Sequence, residues 1–515
     1  MGEEEESKNG WNIESFALGD YFMEQEKNDM KRLCTKILTL ILILTSFVGC
    51  GKEIKELRLE DGPINIDGGT SEAISEDDIW NVEPIPEARQ NFMAPGEPKE
   101  NESAIPIRTI EDLKNISDIS KDSYILMNDI DAEGKAINIV AFSGNFDGNY
   151  HKIKNTSGPI FSSLNGTVSN LAVIDTTSSS AGIAGELWSG SITNCYVTGE
   201  IGKDADRQYT GGIVAKVFAA NSYITYCYNL ADVYGDGRSS GGIVGILKNN
   251  TIGSTSFEIR GCENYGTVTN SDGNGIAGIC GEIKFESLGS MFGATESTLG
   301  RISGCINYGK VERTGTPSSM AVGIGIGGIL GRGYVKSDIQ NASVDLRING
   351  CANHGQILKN ENCRSPIGGI CGNISIDRRD YAKAFAYLQD CLNTSGDIVG
   401  MCDRIESDGG TVKIFRCINL GKSDYPFYGA IHNDQGYILT EDSYFLSKTA
   451  DTIKNDVKGL TPEQMRKMET FIDDGFDFIY LWEIDDGINN GYPYIRNYER
   501  IMEGGVGLSG DEEEY

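Results

Sequence analysis

The chain reads as an all-β protein, a right-handed parallel β-helix closed by short helical caps. Two recurring Gly-rich units alternate along most of its length. Glycine is abundant at 65 of 515 residues, against an average of about 7%, while proline numbers only 12, which argues against a collagen or a Pro-rich stalk. Each unit reads as a strand of only three to five residues, with apolar residues alternating inward. About eight or nine imperfect repeats are expected.

The amino-terminal region carries an export pattern. Residues 1–29, with the acidic run Glu3-Glu4-Glu5-Glu6, read as an upstream extension or a misassigned gene start, with Met30 the true start. Residues 30–50 then form a signal peptide: basic Lys31-Arg32, an apolar stretch from Ile37 to Val48, and Gly49-Cys50. That stretch is shorter than the ~20 residues a membrane-spanning helix needs. Phe47-Val48-Gly49-Cys50 resembles the lipobox of bacterial lipoproteins, with Phe in place of the usual Leu. The resemblance implies lipidation at Cys50 and an exported, membrane-anchored protein at the cell surface.

Residues 51–106 are acidic, with prolines and no sustained period, and predict a flexible tether. Thr109-Ile110-Glu111-Asp112-Leu113 predicts a helix start with Thr109 as N-cap and with Leu113 and Ile116 on one face. Such a helix would close the open end of a solenoid.

The β-helix is expected over 107–440. One unit reads apolar-x-x-Cys-x-Asn-x-Gly-x-apolar, as in Ile259 to Val268, Ile302 to Val311 and Ile348 to Ile357. Weaker copies centre on Cys195, Cys227, Cys391 and Cys417, and Leu171 fits the same slot. The other unit is Gly211-Gly212-Ile213-Val214-Ala215, echoed at 241–245, 327–331 and 368–372. Cys-to-Cys spacings of 32, 35, 43, 46, 40 and 26 place the variation in polar stretches, which predict loops on one rim. Gly and Asn suit corners where φ is positive. Stacking like over like would turn Asn229, Asn264, Asn307, Asn353, Asn393 and Asn419 into an amide ladder.

These units resemble the GLUG-motif repeats of bacterial surface adhesin-like proteins, also found in the non-catalytic region of immunoglobulin A1 metallopeptidases. Ile stands here for the motif's usual Leu. Phe146-Asp147-Gly148-Asn149 resembles the family's opening coil, and Leu460-Thr461-Pro462-Glu463 with Gly491-Tyr492-Pro493-Tyr494 its closing segment. Residues 441–503 are therefore expected to cap the carboxy-terminal end. Thr461 and Gln464 form a capping box with Pro462 at the first helical position, and Phe476, Phe478, Tyr480 and Trp482 alternate as a terminal strand. Residues 504–515 predict an acidic disordered tail.

No catalytic constellation emerges. The metallopeptidase H-E-x-x-H is missing, the only histidines being His151, His354 and His432. Nucleophile-elbow spacing at Gly237 to Gly241 and a dinucleotide fingerprint at Gly323 to Gly328 both lead into strands, not the helices their chemistry needs. The Cys slot predicts a stack of buried thiols rather than disulfides or a metal site. Asp129 and Asp131 are read as solvated turn acids rather than calcium ligands. No cofactor is expected, and a formal charge of −30 disfavours nucleic acid. The expected partners are the membrane, through Cys50, and a glycan or host surface protein. Tyr265, Tyr308 and His354 are the candidate contact column. The expectation is a non-catalytic adhesion or binding module. The alternatives are an envelope scaffold, and a polysaccharide lyase or glycosidase for which Arg378-Arg379-Asp380 is the nearest charged cluster.

Overall fold

Every strand from Ile105 to Glu441 pairs in parallel with the equivalent strand one coil away, which makes the chain a parallel β-helix. The computed structural model describes residues 103–496, apart from 204–208, 219–220, 250–253, 287–296, 316–323, 338–341, 379–381 and 434–435. The expected lipobox, the expected acidic tail and nearly all of the expected tether lie outside the described residues. The described residues belong to one unit, Ile74–Tyr515.

A twelve-stranded sheet runs from Ile105–Ile107 to Tyr437–Glu441. A nine-stranded sheet runs from Phe161–Leu164 to Tyr428–Asn433. Short ladders that include Glu263–Asn264 and Ile306–Asn307 join them on one side, and a five-stranded ladder from Thr210–Gly211 to Ile367–Gly368 lies at the Gly-Gly corner. The long sheet has more strands than the sequence has repeats, because the first and last coils stack without the motif.

Corner chemistry explains the repeat. The residue before the Cys slot has positive φ in coil after coil: Asn170, Asn194, Tyr226, Gly261, Gly304, Gly350, Asp390, Arg416 and Asp442. Next comes the buried slot itself, Leu171 and then Cys195, Cys227, Cys262, Cys305, Cys351, Cys391 and Cys417, every one fully buried. These cysteines are free thiols. Burial pushes the Cys305 thiol well up, so it stays protonated.

Two residues on, the asparagines form the expected ladder. Nδ2 of Asn229, Asn264, Asn307, Asn353 and Asn393 donates to Oδ1 of the next Asn at 2.8, 2.9, 2.9, 3.0 and 2.9 Å. Each Nδ2 also donates to a backbone carbonyl two residues on, such as Gly266 O and Gly309 O. Buried amides are thus satisfied within the stack. The ladder ends where Val197 occupies the rung below Asn229 and Phe445 the rung above Asn419.

Two expectations are corrected. The variable stretches are not all loops. Strands grow from four residues at Gly190–Thr193 to seven at Ser297–Ser303 and eight at Leu330–Ser337, so much of the extra length widens both sheets. Phe285 fills the wider core beside Gly300, where any side chain would collide with its ring. The segment around Phe476 is also not a strand. Only Trp482–Glu483 pairs, antiparallel with Tyr494–Ile495, while Phe476 and Phe478 pack in turns around Phe471.

Both helical caps are present. Thr109 and Asp112 form a capping box on Ile110–Lys114, and Leu113 and Ile116 join the core. Thr461 and Gln464 do the same for Pro462–Met465. The second helix does not simply plug the end, because its segment folds back along the outside of the solenoid. Met465, Phe471, Trp482 and Tyr494 pack on Ile306, Ala352, Leu392 and Ile418, the outward residues that follow four successive cysteines.

Candidate functional site

The candidate column does stack. Tyr265 and Tyr308 have ring centroids 4.9 Å apart at 18°, and Tyr308 and His354 lie 5.4 Å apart at 20°. Like residues stack because the corner repeats, and offset stacking adds to their packing. The column is only half-exposed. Tyr308 packs against the carboxy-terminal segment. His354 Nδ1 lies 3.2 Å from Thr394 Oγ1, its Nε2 is buried, and burial pushes its pKa down to about 4. Cys50, the expected lipidation site, lies outside the described residues.

A second exposed surface was not anticipated from the sequence. On the outer face of the nine-stranded sheet, the sixth residue after the second Gly of each Gly-Gly unit forms a row. Trp188 opens it, stacked on Phe218 with centroids 4.0 Å apart at 20°. Phe218, Lys248, Lys284 and Tyr334 follow in strand register. Trp188 is 37% exposed, whereas Phe218 is nearly covered by its neighbours. The adjacent outward row carries Lys216, Ile246, Glu282 and Arg332. Lys216 Nζ pairs with Glu186 at 2.9 Å. A hollow of about 470 Å³ lies between Lys248, Lys284, Glu282, Arg332 and Tyr334.

A larger hollow of about 920 Å³ sits near the carboxy-terminal coils, where Lys359, Lys422, Lys448 and Lys454 approach Asp397 and Asp403. Asp403 accepts a hydrogen bond from the Ile367 N–H at 2.7 Å, and burial raises its pKa.

The two turn acids Asp129 and Asp131 are engaged locally. Asp131 accepts from Asn155 Nδ2 at 3.0 Å and from the Glu133 N–H at 2.8 Å. Asp129 lies 3.4 Å from His151 and 3.7 Å from Lys154. Among the described residues, no group of three or more His, Cys, Asp or Glu is placed to hold a metal ion. Both dismissed motifs contain strands, Ser240–Gly241 and Gly325–Gly327. Among the described residues no helix is long and apolar enough to cross a membrane.

No family model matches the chain, and no curated protein matches it. Among solved structures, one from Bacteroides ovatus, described as a "putative immunoglobulin A1 protease", is similar with a TM-score of 0.36 and 18% identity, over 78% of this chain and 94% of that chain.

Proposed function

We propose that the protein is a lipid-anchored, non-catalytic β-helix of the bacterial cell surface that binds a glycan or a host surface protein. The observation that carries this reading is the exposed Trp188 ring, stacked on Phe218 and flanked by charged side chains on a broad, regular sheet face. An aromatic face beside polar and charged groups suits a sugar ring, which presents apolar C–H groups on one side and hydroxyls at its edge. The Phe47 to Cys50 lipobox supports the anchor, and the GLUG-like units support membership of the surface adhesin group. The corner column of Tyr265, Tyr308 and His354 is the second contact surface within this reading.

Binding of the full chain to an array of glycans and host matrix proteins tests the proposal. Saturable binding that Trp188→Ala removes supports the sheet face. Loss on combining Tyr265→Ala with Tyr308→Ala moves the contact to the corner. Absence of binding to every probe leaves the scaffold reading in its place. A polysaccharide-active enzyme is the competing reading, favoured by one observation: Asp403, half-buried with a raised pKa, lines a hollow that also holds lysines. A bound polysaccharide that shortens with time would support it.

A further inference from the structure

Lys248 and Lys284 occupy equivalent positions on neighbouring strands and face the same side of the sheet. Strands so paired lie about 4.8 Å apart, and like charges directly opposite one another destabilise a sheet. The two side chains respond by turning in opposite directions. Lys248 Nζ lies 5.0 Å from the centre of the Phe218 ring. Lys284 Nζ lies 5.8 Å from the centre of the Tyr334 ring and 3.3 Å from Glu286 Oε2. Their divergence leaves the hollow of about 470 Å³ between them.

The floor of this hollow is fixed. Glu282, 3% exposed, accepts from Ser239 Oγ at 2.6 Å and from Arg332 Nη1 at 3.0 Å. Its charge is therefore already engaged. Arg332 Nε is buried and finds no hydrogen-bond partner among the described residues. Lys248, Lys284 and Arg332 outnumber the carboxylates of Glu282 and Glu286 around the hollow, in a chain whose net charge is −30. Phe218 and Tyr334 stand three strand spacings apart, about 14 Å. That span suits an oligosaccharide lying along the row rather than a single sugar.

The geometry points to a subsite for a carboxylate-bearing sugar between Lys248 and Lys284, within a site for acidic polysaccharide that also uses Trp188 and Tyr334. An anionic ligand placed there relieves the repulsion that drives the lysines apart and replaces it with two attractions. A neutral glycan gains only the aromatic contacts. This inference rests on the glycan-binding reading above and narrows it to uronic acid polymers.

The test compares uronate oligosaccharides (galacturonate, mannuronate and glucuronate-containing) with their methyl esters, which keep the shape and lose the charge. The full chain should bind at least one free acid about tenfold or more tighter than its ester, a difference that shrinks with added salt. Lys248→Gln combined with Lys284→Gln should bring the two forms to near equality with no fall in melting temperature, since both lysines are surface groups and their mutual repulsion is removed with them. Trp188→Ala should weaken both forms. Equal binding of acid and ester, or a preference that survives loss of both lysines, overturns the inference. If neutral glycans bind and no uronate does, this subsite fails while the glycan-binding reading stands. If no glycan binds at all, both fall.

Discussion

The side-chain amide of Asn264 occupies the space that a side chain on Gly242 would need: a Cβ built on Gly242 would come within 2.2 Å of Asn264 Oδ1. The same relation joins Gly212 to Asn229, Gly278 to Asn307 and Gly328 to Asn353. The two repeating units are therefore complementary halves of one contact. Gly242→Ala should destabilise the protein by about 1–3 kcal/mol, the usual cost of overpacking a well-filled interior. Adding Asn264→Ala to it should cost somewhat less than the sum of the single changes, because the collision with the amide is removed while that with the Gly278 carbonyl oxygen, 2.1 Å from the same Cβ, remains. Denaturant titration of the four members of this cycle measures the coupling, and strict additivity would break the proposed link.

The ladder itself is open to a second experiment. Asn307→Ala removes the acceptor for Asn264 Nδ2 and the donor for Asn353 Oδ1. Each buried polar group left unpaired costs about 1–3 kcal/mol. Amide hydrogen exchange should accelerate most in the coils on either side of Asn307 and least near Ile130, since stability in a stacked array is set by nearest neighbours. Uniform acceleration along the whole chain would contradict this.

His354 gives the fold a pH dependence of known sign. Its pKa is about 4 in the folded chain against an ordinary 6.5. Between those values the unfolded chain binds the extra proton, so stability is complete above pH 6.5 and declines as pH falls toward 4. The loss should be about 1–3 kcal/mol. His354→Tyr restores the residue found at this corner in the two preceding coils, and should flatten the profile over that interval. A variant whose melting temperature still falls as steeply would assign the effect to other groups.

The outer segment should come away before the solenoid does. Trp482 is fully buried among Phe476 and its neighbours, and Trp482→Ala should cost about 3–5 kcal/mol locally. Exchange protection is expected to fall over Pro462 to Ile495, with dye binding to the uncovered Ile306, Leu392 and Ile418, while the asparagine ladder stays protected. Simultaneous loss of both would make the segment part of the same cooperative unit.

Much of this architecture was legible in the sequence because parallel stacking sets like over like. A periodic Cys or Asn in the chain becomes a column in space, and the corner positions announce themselves through Gly and Asn. The carboxy-terminal fold-back was harder to read. Its docking strip consists of Ile306, Ala352, Leu392 and Ile418, positions that strand alternation turns outward, where earlier coils carry Tyr228 and Glu263. That change to aliphatic residues was the available signal. The row from Trp188 to Tyr334 escaped notice for the opposite reason. Its positions are equivalent, but the residue type changes at nearly every coil, and a surface row of unlike side chains leaves no repeating pattern. Register alone shows that these residues are neighbours.

The amide ladder also bears on how such a chain changes length. Each inner asparagine receives from one neighbour and gives to the other in the same direction, and each pairs with a glycine of the adjoining unit. A whole turn removed or inserted leaves the two cut faces with matching donors and acceptors. Duplication or loss of one turn therefore keeps the ladder whole, and is nearly neutral for the interior where neighbouring coils have strands of equal length, while any fraction of a turn is ruinous. The gene can vary the reach of the protein in discrete steps, and place unlike side chains on each new turn, without having to solve the problem of the interior again.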